Sequence, residues 1–457
     1  MNNAPDPRDM VRSGLCIGCG SCVAQSATPA RMRFDADGQL RPDGITLSDA
    51  AAERFAHTCP FSSVAVDEDR LAAELFPAAS LHDDSTGRYQ AAYVGHVAEG
   101  EFRMQGSSGG LVSWVATELL KQGLVDGVAH VVPTADPQRD GRFFRYRISR
   151  SEAEIRAGAQ SRYYPVELSE VLAAIREQPG RYAVVGIPCF VKAVQLLRRE
   201  DAMFRDRIRF TLGLFCGHMK SARFVESLAW QMQVPLAAVQ GVDFRSKAPD
   251  RPANWYHARL TLRDGRVVGK DWWHLADGDW GAGFFMDSAC NWCDDVVAET
   301  ADVAFGDAWV EPHASDWRGT NVVLVRSPVV ARLIADAIGA GRLALQPVDA
   351  GFVAQTQAAG LRQRREGLAY RLARHRGGMT VRKRVAPDGN SPALRRKLIY
   401  RMRQAISAWS HRVFRLARCI GMPRLYLQWA RCVLRGYHAL AYHRGRAGKL
   451  VSRLGLR

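Results

Sequence analysis

The sequence lacks the long apolar run that a membrane-spanning helix needs, and it opens on polar residues. No stretch of the 457 residues approaches an uninterrupted apolar run of about eighteen positions. The opening MNNAPDPRDMVR has no apolar segment behind it, so no secretory signal peptide is predicted. Ten cysteines without such a signal indicate a reducing compartment and metal or redox use rather than disulfides. We therefore expect a cytoplasmic protein.

Several catalytic signatures are absent as well. The sequence has no apparent Ser-His-Asp constellation, no helical His-zinc motif and no Walker A motif. It also has no internal repeat of fixed period. Catalysis by this chain would therefore depend on orienting bound cofactors and tuning their potentials, not on an acid–base triad.

The positive charge is not spread along the chain. The formal net charge is +17, but the segment from Arg362 onward contains 25 Lys and Arg against only Glu366 and Asp388. That segment carries +23, so residues 1–361 carry about −6. The sequence thus combines a mildly acidic body with a cationic C-terminal extension.

Pattern changes divide the chain into four predicted parts. Residues 1–66 form a small cysteine-bearing segment that we expect to be ferredoxin-like, and 67–90 form a short helix with a polar linker. Residues 91–360 alternate between strand-like and helix-like patterns, which predicts a mixed α/β or α+β core with an added hairpin around Asp264 and Gly265. Residues 361–457 are predicted to be a basic, mostly helical extension.

A metal-binding pattern stands near the start of the chain. In GLCIGCGSCVAQS, Cys16, Cys19 and Cys22 are three residues apart among glycines, but Ser26 occupies the place of the fourth ferredoxin cysteine. Cys59, followed by Pro60, can provide the missing ligand, which predicts a 4Fe-4S site. The alternative is a four-cysteine zinc site, although such sites more often use two separated C-x2-C pairs.

Four further cysteines lie within the predicted core, at positions that resemble strand ends: Cys189, Cys216, Cys290 and Cys293. A lone cysteine there is usually a small buried apolar residue, and the C-x2-C pair alone could serve redox or metal chemistry. Because strand-end loops of an open sheet meet at one edge, the four thiols could also form a second complete ligand set. Spacing alone leaves these alternatives open. Cys419 and Cys432 have no motif context and are interpreted as packing residues.

A glycine-rich loop, MQGSSGG, directly precedes an amphipathic helical pattern. Its residues are Gly106, Ser107, Ser108, Gly109 and Gly110. Such a loop exposes backbone N–H groups at a helix N-terminus and suits a phosphate or pyrophosphate, although it is more often only a turn. Beside iron–sulfur ligands it favours a flavin dinucleotide, which converts single-electron transfer into two-electron chemistry.

Seven colinear motifs carry a family resemblance across residues 10–360. They are CIGCGSCV with the later CP, QGSSGGLVSWVATELLKQGLVDGV, SRYYPVEL, VVGIPCFVKAV, LFCGH, FRSK and CNWCDDVVAETADVAFGDAW. In this order they resemble the beta-subunit family of coenzyme F-420 hydrogenases and dehydrogenases, which is similar to hydroxymethyl-chlorophyll reductases. Members of that family bind FAD and one or two 4Fe-4S clusters.

The resemblance implies specific ligands. Cys16, Cys19, Cys22 and Cys59 would hold one cluster, and Cys189, Cys216, Cys290 and Cys293 would hold a second. The glycine-rich loop would contact FAD, with Ser161, Arg162, Tyr163 and Lys247 near the flavin. Arg162 stands where the family more usually has Lys, which keeps the charge but changes the hydrogen-bond geometry.

These features predict an iron–sulfur flavoprotein oxidoreductase. It would pass electrons between a ferredoxin-like donor or redox partner subunit and a small organic hydride acceptor. One alternative is an electron-transfer subunit of a larger complex without its own substrate. Another is a zinc-stabilised protein that binds membrane or RNA.

The basic extension lies outside the resemblance. One interpretation is an amphipathic helical pair on an anionic membrane at the inner face, burying Trp409, Phe414, Tyr426 and Trp429. Nucleic-acid binding is a less favoured interpretation. The third is a helical extension that packs against the body or a partner through an apolar stripe: Leu398, Met402, Ile406, Trp409, Val413, Leu416 and Ile420.

Overall fold

The structure is a computed structural model that describes residues 5–26, 28–45, 47, 49–376, 378–379, 382–446 and 448–449. The two ends of the chain, 1–4 and 450–457, lie outside the described residues.

The strands of the described residues, in chain order, are β1 (Arg31–Phe34), β2 (Leu40–Asp43), β3 (Leu81–Asp83), β4 (Gly87–Tyr89), β5 (Ala91–Val97), β6 (Gly127–Pro133), β7 (Phe144–Ser149), β8 (Tyr182–Gly186), β9 (Ile208–Leu214), β10 (Val239–Ser246), β11 (His257–Leu262), β12 (Val267–Asp271), β13 (Val303–Asp307), β14 (Asn321–Val325) and β15 (Leu343–Pro347). The helices are α1 (Pro7–Arg12), α2 (Ser21–Ala24), α3 (Asp49–Thr58), α4 (Glu68–Leu75), α5 (Phe102–Gln105), α6 (Leu111–Lys121), α7 (Pro137–Asp140), α8 (Glu152–Ala157), α9 (Ser169–Glu177), α10 (Pro188–Glu200), α11 (Ala202–Arg207), α12 (Arg223–Gln231), α13 (Pro328–Gly339), α14 (Ala350–Thr356), α15 (Ala358–Arg364), α16 (Glu366–Arg374), α17 (Leu394–Cys419) and α18 (Pro423–Tyr442).

An eight-stranded mixed sheet organises the body, in the order β15-β5-β14-β13-β9-β8-β6-β7. Its centre, β13-β9-β8-β6, is parallel, whereas β14, β5 and β15 on one side and β7 on the other pair antiparallel with their neighbours. Central strands such as β8 and β14 are apolar and buried along their whole length, while edge strand β7 alternates between buried and exposed residues. The predicted mixed α/β core is therefore confirmed.

Strand direction places several loops at one edge of this sheet. Strands β8, β9 and β13 run parallel, and β5 points the same way because both β5 and β13 pair antiparallel with β14. The carboxyl ends of these four strands therefore lie at the same edge, where open α/β sheets place their ligands.

A second, three-stranded sheet, β10-β11-β12, contains the predicted hairpin, since β11 and β12 flank Asp264 and Gly265. The short helix predicted within 67–90 is present as α4, but the predicted polar linker after it contains the β3–β4 hairpin. The N-terminal segment places the β1–β2 hairpin between Cys22 and Cys59. Its ferredoxin-like character and the four predicted boundaries stay predictions.

The basic extension ends in a helical hairpin, α17 and α18, that packs on the body. Phe414 and Tyr426 have no exposed surface and lie in one apolar core with Phe224, Phe285 and Trp230. This corrects the expectation that Phe414 and Tyr426 would enter a membrane. Trp429 is half-buried against the same core, whereas Trp409 is 51% exposed.

The predicted stripe on α17 coincides only in part with the buried face. Ile406 is buried in the core that holds Phe414, whereas Leu416 and Ile420 are more than half exposed. The buried face also includes Arg403, Ser407 and Ser410, whose hydrogen bonds to the body compensate for burial. In the described part of the chain, no helix is both long and apolar enough to cross a membrane.

Candidate metal and cofactor sites

The first cysteine set surrounds a cavity in the N-terminal segment. The cavity has about 370 Å³ of empty space, part of it open to solvent, and most of its lining is apolar. Four thiol-bearing residues line it: Cys16, Cys19, Cys22 and Cys59. The structure thus brings together the four residues that the spacing and the resemblance predicted.

Two glycines let the chain wrap around this cavity. Gly18 and Gly20 have φ of +73° and +81°, in the left-handed region. A Cβ on Gly18 would lie 2.4 Å from the Leu40 carbonyl oxygen, and one on Gly20 would lie 2.4 Å from a Glu167 carboxylate oxygen. A side chain at either position would therefore displace the loop from its neighbours.

Burial controls the protonation of the first cysteine set. It raises the pKa of Cys16 to about 11, against an opposing effect of Arg41, and raises the pKa of Cys19, Cys22 and Cys59 above the ordinary thiol value. Neighbouring thiols raise the pKa of Cys22 and Cys59 further. The metal-free site is therefore held as neutral thiols, and binding a metal would displace their protons.

Ser26 takes no part in the cavity lining. Its hydroxyl lies 3.0 Å from the hydroxyl of Thr28, outside the set of residues around the cavity. Arg41 instead supports this loop, because it donates a 2.7 Å hydrogen bond to the Cys16 carbonyl and pairs with Asp287 at 3.0 Å.

The second cysteine set is assembled from three separate segments. Cys189 is the second residue of α10, three positions after β8, and Cys216 follows β9 by two positions. Their strand-end placement was predicted correctly. The prediction was wrong for the other two, since Cys290 lies on a short 3-10 helix (Ser288–Trp292) and Cys293 directly follows it, well before β13.

Electrostatic coupling indicates that these four thiols face one another. Burial raises the pKa of Cys189 well above the ordinary value, and Cys293, Cys216 and Cys290 raise it further. Burial also raises the pKa of Cys216, to about 12. The backbone N–H of Met219 lies 3.4 Å from the Cys290 sulfur, as a donor to a thiolate would.

Seven of the eight cysteines in the two sets belong to one apolar core. Cys19, Cys22, Cys59 and Cys290 are buried in it, and Cys16, Cys189 and Cys293 pack against it from positions that are partly exposed. Cys19 is close enough to Cys189 to raise its pKa. The sets are therefore neighbours within one protein interior.

Single-ion coordination is a separate question from cluster binding. Among the residues that the structure describes, no group of three or more His, Cys, Asp and Glu side chains is arranged to hold a single metal ion.

Cys419 and Cys432 are exposed, so they are not the packing residues that the sequence suggested.

The glycine-rich loop lies at the same sheet edge as Cys189 and Cys216. Val97, at the end of β5, donates a 2.9 Å hydrogen bond to the Gly109 carbonyl. A Cβ on Gly109 would lie 2.7 Å from the Gly95 carbonyl oxygen, and one on Gly110 (φ +88°) would lie 2.5–2.7 Å from backbone atoms of Phe102 and Arg103. Both glycines are thus required by the close packing of the loop.

The start of β14 fixes this loop in place. The Ser108 hydroxyl donates to the Thr320 carbonyl at 2.9 Å. The backbone N–H of Leu111, the first residue of α6, donates to the Asn321 side chain at 3.2 Å. Asn321 therefore already satisfies one of the N–H groups at the N-terminus of α6.

Lys247 and Ser107 line a second cavity, which has about 210 Å³ of empty space open in part to solvent. The Lys247 ammonium donates to the carbonyls of Arg103 and Ser108. Burial, with help from Arg245 and Arg103, lowers the pKa of Lys247 to about 7. This cation has no carboxylate partner among the described residues, which suits it to an anionic ligand.

The other predicted flavin contacts are distributed unevenly. Ser161 donates its backbone N–H to the Ser107 hydroxyl at 2.8 Å, so it supports the loop. Arg162 packs over the Phe144 ring at 5.0 Å and donates to the Ala159 carbonyl at 3.0 Å. Tyr163 packs edge-on against Trp280 at 4.6 Å. Neither Arg162 nor Tyr163 is among the residues that line the cavity of Lys247.

Arg245 is a cavity residue that the sequence analysis missed. It lies beside Lys247 and forms a bidentate pair with Asp307 at 2.9 and 3.1 Å, with its guanidinium 4.9 Å from the Tyr256 ring. The signal was present in the FRSK motif, from which only the lysine was selected. Asp307 and Asp302 hold structural hydrogen bonds, since Asp302 accepts from the Thr211 backbone and hydroxyl at 2.8 Å.

A mixed α/β sheet that carries two buried cysteine sets and a glycine-rich loop at one edge is the framework of a redox protein. Two family profiles match the sequence over its body: the N-terminal part of the coenzyme F420 hydrogenase/dehydrogenase beta subunit over residues 92–173, and its C-terminal part over residues 180–351. The chain belongs to this family of oxidoreductase subunits, which supports a redox role.

One solved structure gives the same fold at low sequence similarity. It is described as a xenon derivative of the F420-reducing [NiFe] hydrogenase complex from Methanosarcina barkeri. The match has a TM-score of 0.51 and 16% identity, and covers 66% of this chain and 99% of that chain. Comparison with curated proteins gives no match. The first cysteine set and the extension beyond residue 351 lie outside the family profiles.

Proposed function

We propose that this chain is an iron–sulfur flavoprotein oxidoreductase. It would pass electrons between a ferredoxin-like one-electron donor or redox partner subunit and a small organic hydride acceptor. The observation that carries the proposal is the presence of two four-cysteine sets, of which seven cysteines lie in or against one buried core. A glycine-rich loop lies beside them, at the edge where open α/β sheets bind ligands.

The donor sets fit two 4Fe-4S clusters. Each set has the four thiols that such a cluster requires, and neither includes a disulfide, since all the cysteines are free. The first set would be Cys16, Cys19, Cys22 and Cys59, and the second Cys189, Cys216, Cys290 and Cys293. An apolar surround and backbone N–H donors such as that of Met219 are the features that tune cluster potentials.

The loop from Gly106 to Gly110 fits the pyrophosphate of FAD. Its backbone packs tightly on β5 and β14, while Lys247 provides a partly buried cation beside it. Clusters and FAD, once bound, supply single-electron transfer and its conversion into hydride transfer. The chain's own residues position these groups and exclude water around them.

Elemental analysis of anaerobically purified and reconstituted protein tests this proposal. We expect about eight iron and eight acid-labile sulfide per chain, as two 4Fe-4S clusters require, together with a flavin spectrum. One zinc per chain without iron would contradict the redox function and favour the zinc-stabilised alternative. Four iron per chain would limit the proposal to a single cluster.

A second candidate is an electron-transfer subunit without its own substrate. The structural match to a chain of a multi-subunit hydrogenase complex favours it. The test supplies reduced ferredoxin and candidate acceptors to the isolated, reconstituted chain and measures reduction of the acceptor. Acceptor reduction by the isolated chain supports the enzyme, whereas turnover only in the presence of a partner subunit supports the electron-transfer subunit.

The exposed face of the extension supports a further proposal, contact with an anionic membrane. Around the turn between α17 and α18, large apolar side chains are exposed: Trp409, Leu416, Ile420, Met422 and Leu425. Exposed arginines such as Arg412 and Arg424 lie on the same helices. A peripheral position at the inner face of the membrane would place the apolar residues in the interface and the arginines at the head groups.

Vesicle flotation tests the membrane proposal without removing buried residues. The double variant Trp409→Ser and Ile420→Ser should bind vesicles of phosphatidylcholine with phosphatidylserine more weakly than the natural chain. Neutral phosphatidylcholine vesicles provide the control for charge. Equal flotation of variant and natural chain would contradict this proposal and leave the oxidoreductase proposal untouched.

A further inference from the structure

Arg364, at the end of α15, reaches into the second cysteine set from the extension. Its guanidinium donates to the Cys290 carbonyl at 2.6 Å and to the Gly217 carbonyl at 2.6 Å, next to Cys216. Arg364 is 4% exposed and lies beyond residue 351, where the family profile ends. One side chain thus joins two of the three segments that carry the cysteines.

Arg364 has no carboxylate partner in the described part of the chain. It forms no ion pair with a described residue, and its hydrogen-bond acceptors are neutral backbone carbonyls. A buried cation without a counter-charge is strongly unfavourable in a folded protein. Arg364 is close enough to the four thiols of the second set that their ionised forms would raise its pKa.

A second buried arginine repeats this arrangement. Arg371 on α16 is also 4% exposed and donates to the Asn291 carbonyl at 2.8 Å, between Cys290 and Cys293. It too has no ion pair with any residue that the structure describes. Two helices of the extension therefore direct positive charge at the same cysteine loop.

Nearby carboxylates are already compensated. Asp287 pairs with Arg41 at 3.0 Å, and Asp294 pairs with Lys383 at 3.1 Å. Asp295 accepts the backbone N–H groups of Val297 and Glu299, each at 2.9 Å. None of these carboxylates therefore balances the charge of Arg364, which a negatively charged ligand of the four thiols would balance instead.

We propose that Arg364 is a charge-compensating residue that sets the reduction potential of a cluster held by Cys189, Cys216, Cys290 and Cys293. The inference rests on the proposed function, because it requires that cluster. A cluster held by four thiolates carries net negative charge that increases on reduction, so a nearby buried cation favours the reduced form. Removing the cation therefore lowers the potential of this cluster and leaves that of the first cluster unchanged.

Potentiometric titration followed by electron paramagnetic resonance tests the proposal on the reconstituted full chain. The natural chain is compared with Arg364→Gln, which removes the charge, and Arg364→Lys, which keeps it. Arg362→Gln is the matched control, because Arg362 is an exposed residue of the same helix. Cys290→Ser assigns the spectrum of the second cluster by its loss, and the first cluster serves as an internal reference.

At a fixed ambient potential, Arg364→Gln should lower the ratio of reduced to oxidised second cluster at least tenfold, equivalent to about 59 mV for a one-electron couple. Arg364→Lys and Arg362→Gln should keep the natural ratio. Loss of the second cluster in Arg364→Gln, with retention in Arg364→Lys, also supports charge compensation.

Two results overturn the inference. One is an unchanged potential in Arg364→Gln that retains full iron content. The other is an Arg364→Lys variant that loses the cluster or shifts its potential as Arg364→Gln does, which would assign Arg364 a role in packing and hydrogen bonding. If the natural chain itself contains only four iron, the proposed second cluster fails before any variant is examined.

Discussion

Replacing Phe414 by alanine tests whether the basic extension is part of the folded body. Phe414 has no exposed surface, stacks on Trp230 with ring centroids 4.2 Å apart, and packs edge-on against Phe285 at 5.2 Å and Tyr426 at 5.0 Å. Truncating a fully buried phenylalanine costs about 3–5 kcal/mol, because apolar contacts are lost and a cavity remains. The α17–α18 hairpin should therefore open more easily.

Hydrogen exchange followed by mass spectrometry measures this opening directly. In peptides from α17 and α18, a loss of about 3–5 kcal/mol corresponds to exchange that is roughly 100- to 4,000-fold faster, if opening precedes exchange. Peptides of the central strands β8 and β14 should keep their protection, because these strands lie outside the core that Phe414 enters.

Trp409→Ala is the matched control on the same helix. Trp409 is 51% exposed, and its cation–π contact with Arg412, at 5.2 Å, lies on the surface. Its replacement should change stability by less than about 0.5 kcal/mol. Equal exchange in Phe414→Ala and the natural chain, or equal acceleration in both variants, would refute the docked hairpin.

Three further predictions concern the candidate sites. Cys59→Ser removes a thiolate of one cluster, so elemental analysis should give half the iron and sulfide, about four of each. Ser26→Ala changes a residue outside the cavity and should leave both contents unchanged. Gly110→Ala should lower the free energy of unfolding by about 1–3 kcal/mol, because φ at this position is +88° and the added Cβ would meet the backbone of α5. The same variant should bind FAD more weakly in a fluorescence titration. Gly123→Ala, where φ is +64° and the added Cβ would lie in open space, provides the control for φ alone. Because burial lowers the pKa of Lys247 to about 7, its side chain is a cation below that pH and neutral above it. The affinity for FAD should therefore fall about tenfold per pH unit above 7. Lys247→Arg should remove this pH dependence.

The local features of the fold were predictable from sequence because their patterns are short. The apolar run around Val184 predicts a buried strand, and β8 is buried throughout. The Asp264-Gly265 pair predicts a hairpin, and β11 and β12 form it. Cys59 was joined to Cys16 by motif and resemblance, and both line one cavity. That this cavity binds a cluster stays a prediction.

The buried face of α17 was only partly predictable from hydropathy. The predicted stripe contains Ile406, which is buried, but also Trp409 and Leu416, which are exposed. The face that packs on the body contains Ser410, which accepts the Phe285 backbone N–H at 2.9 Å, and Ser407, which donates to the Met286 carbonyl at 3.0 Å. Burial of such residues depends on partners far away in the sequence, and no helical period reveals those partners.

The arrangement of the second cysteine set was also only partly predictable from the sequence. Cys189 and Cys216 follow parallel neighbouring strands, so sheet topology brings them to one edge. Cys290 and Cys293 arrive on an irregular loop whose path no periodic pattern specifies. Arg364 was also missed, because in the sequence it is one arginine among several and only the fold separates it from exposed Arg362.

Part of the charge asymmetry of the chain is balanced within the molecule. Cations of the extension pair with acids of the body: Arg384 with Glu299 at 2.7 Å, Lys383 with Asp294 at 3.1 Å, and Arg418 with Glu226 at 3.0 Å. The −6 body offsets only a minor part of the +23 extension, so the chain keeps a net charge of +17.

Some of the other cations of the extension are buried, and others are exposed. Arg364 and Arg371 are buried at the second cysteine set without carboxylate partners among the described residues, whereas Arg412 and Arg424 are exposed near apolar side chains. A purely nucleic-acid-binding tail would expose its cations along one surface. Because the extension instead buries cations beside thiols, its removal should disturb the metal content of the body, and that coupling distinguishes an integral part of a redox protein from an attached tail.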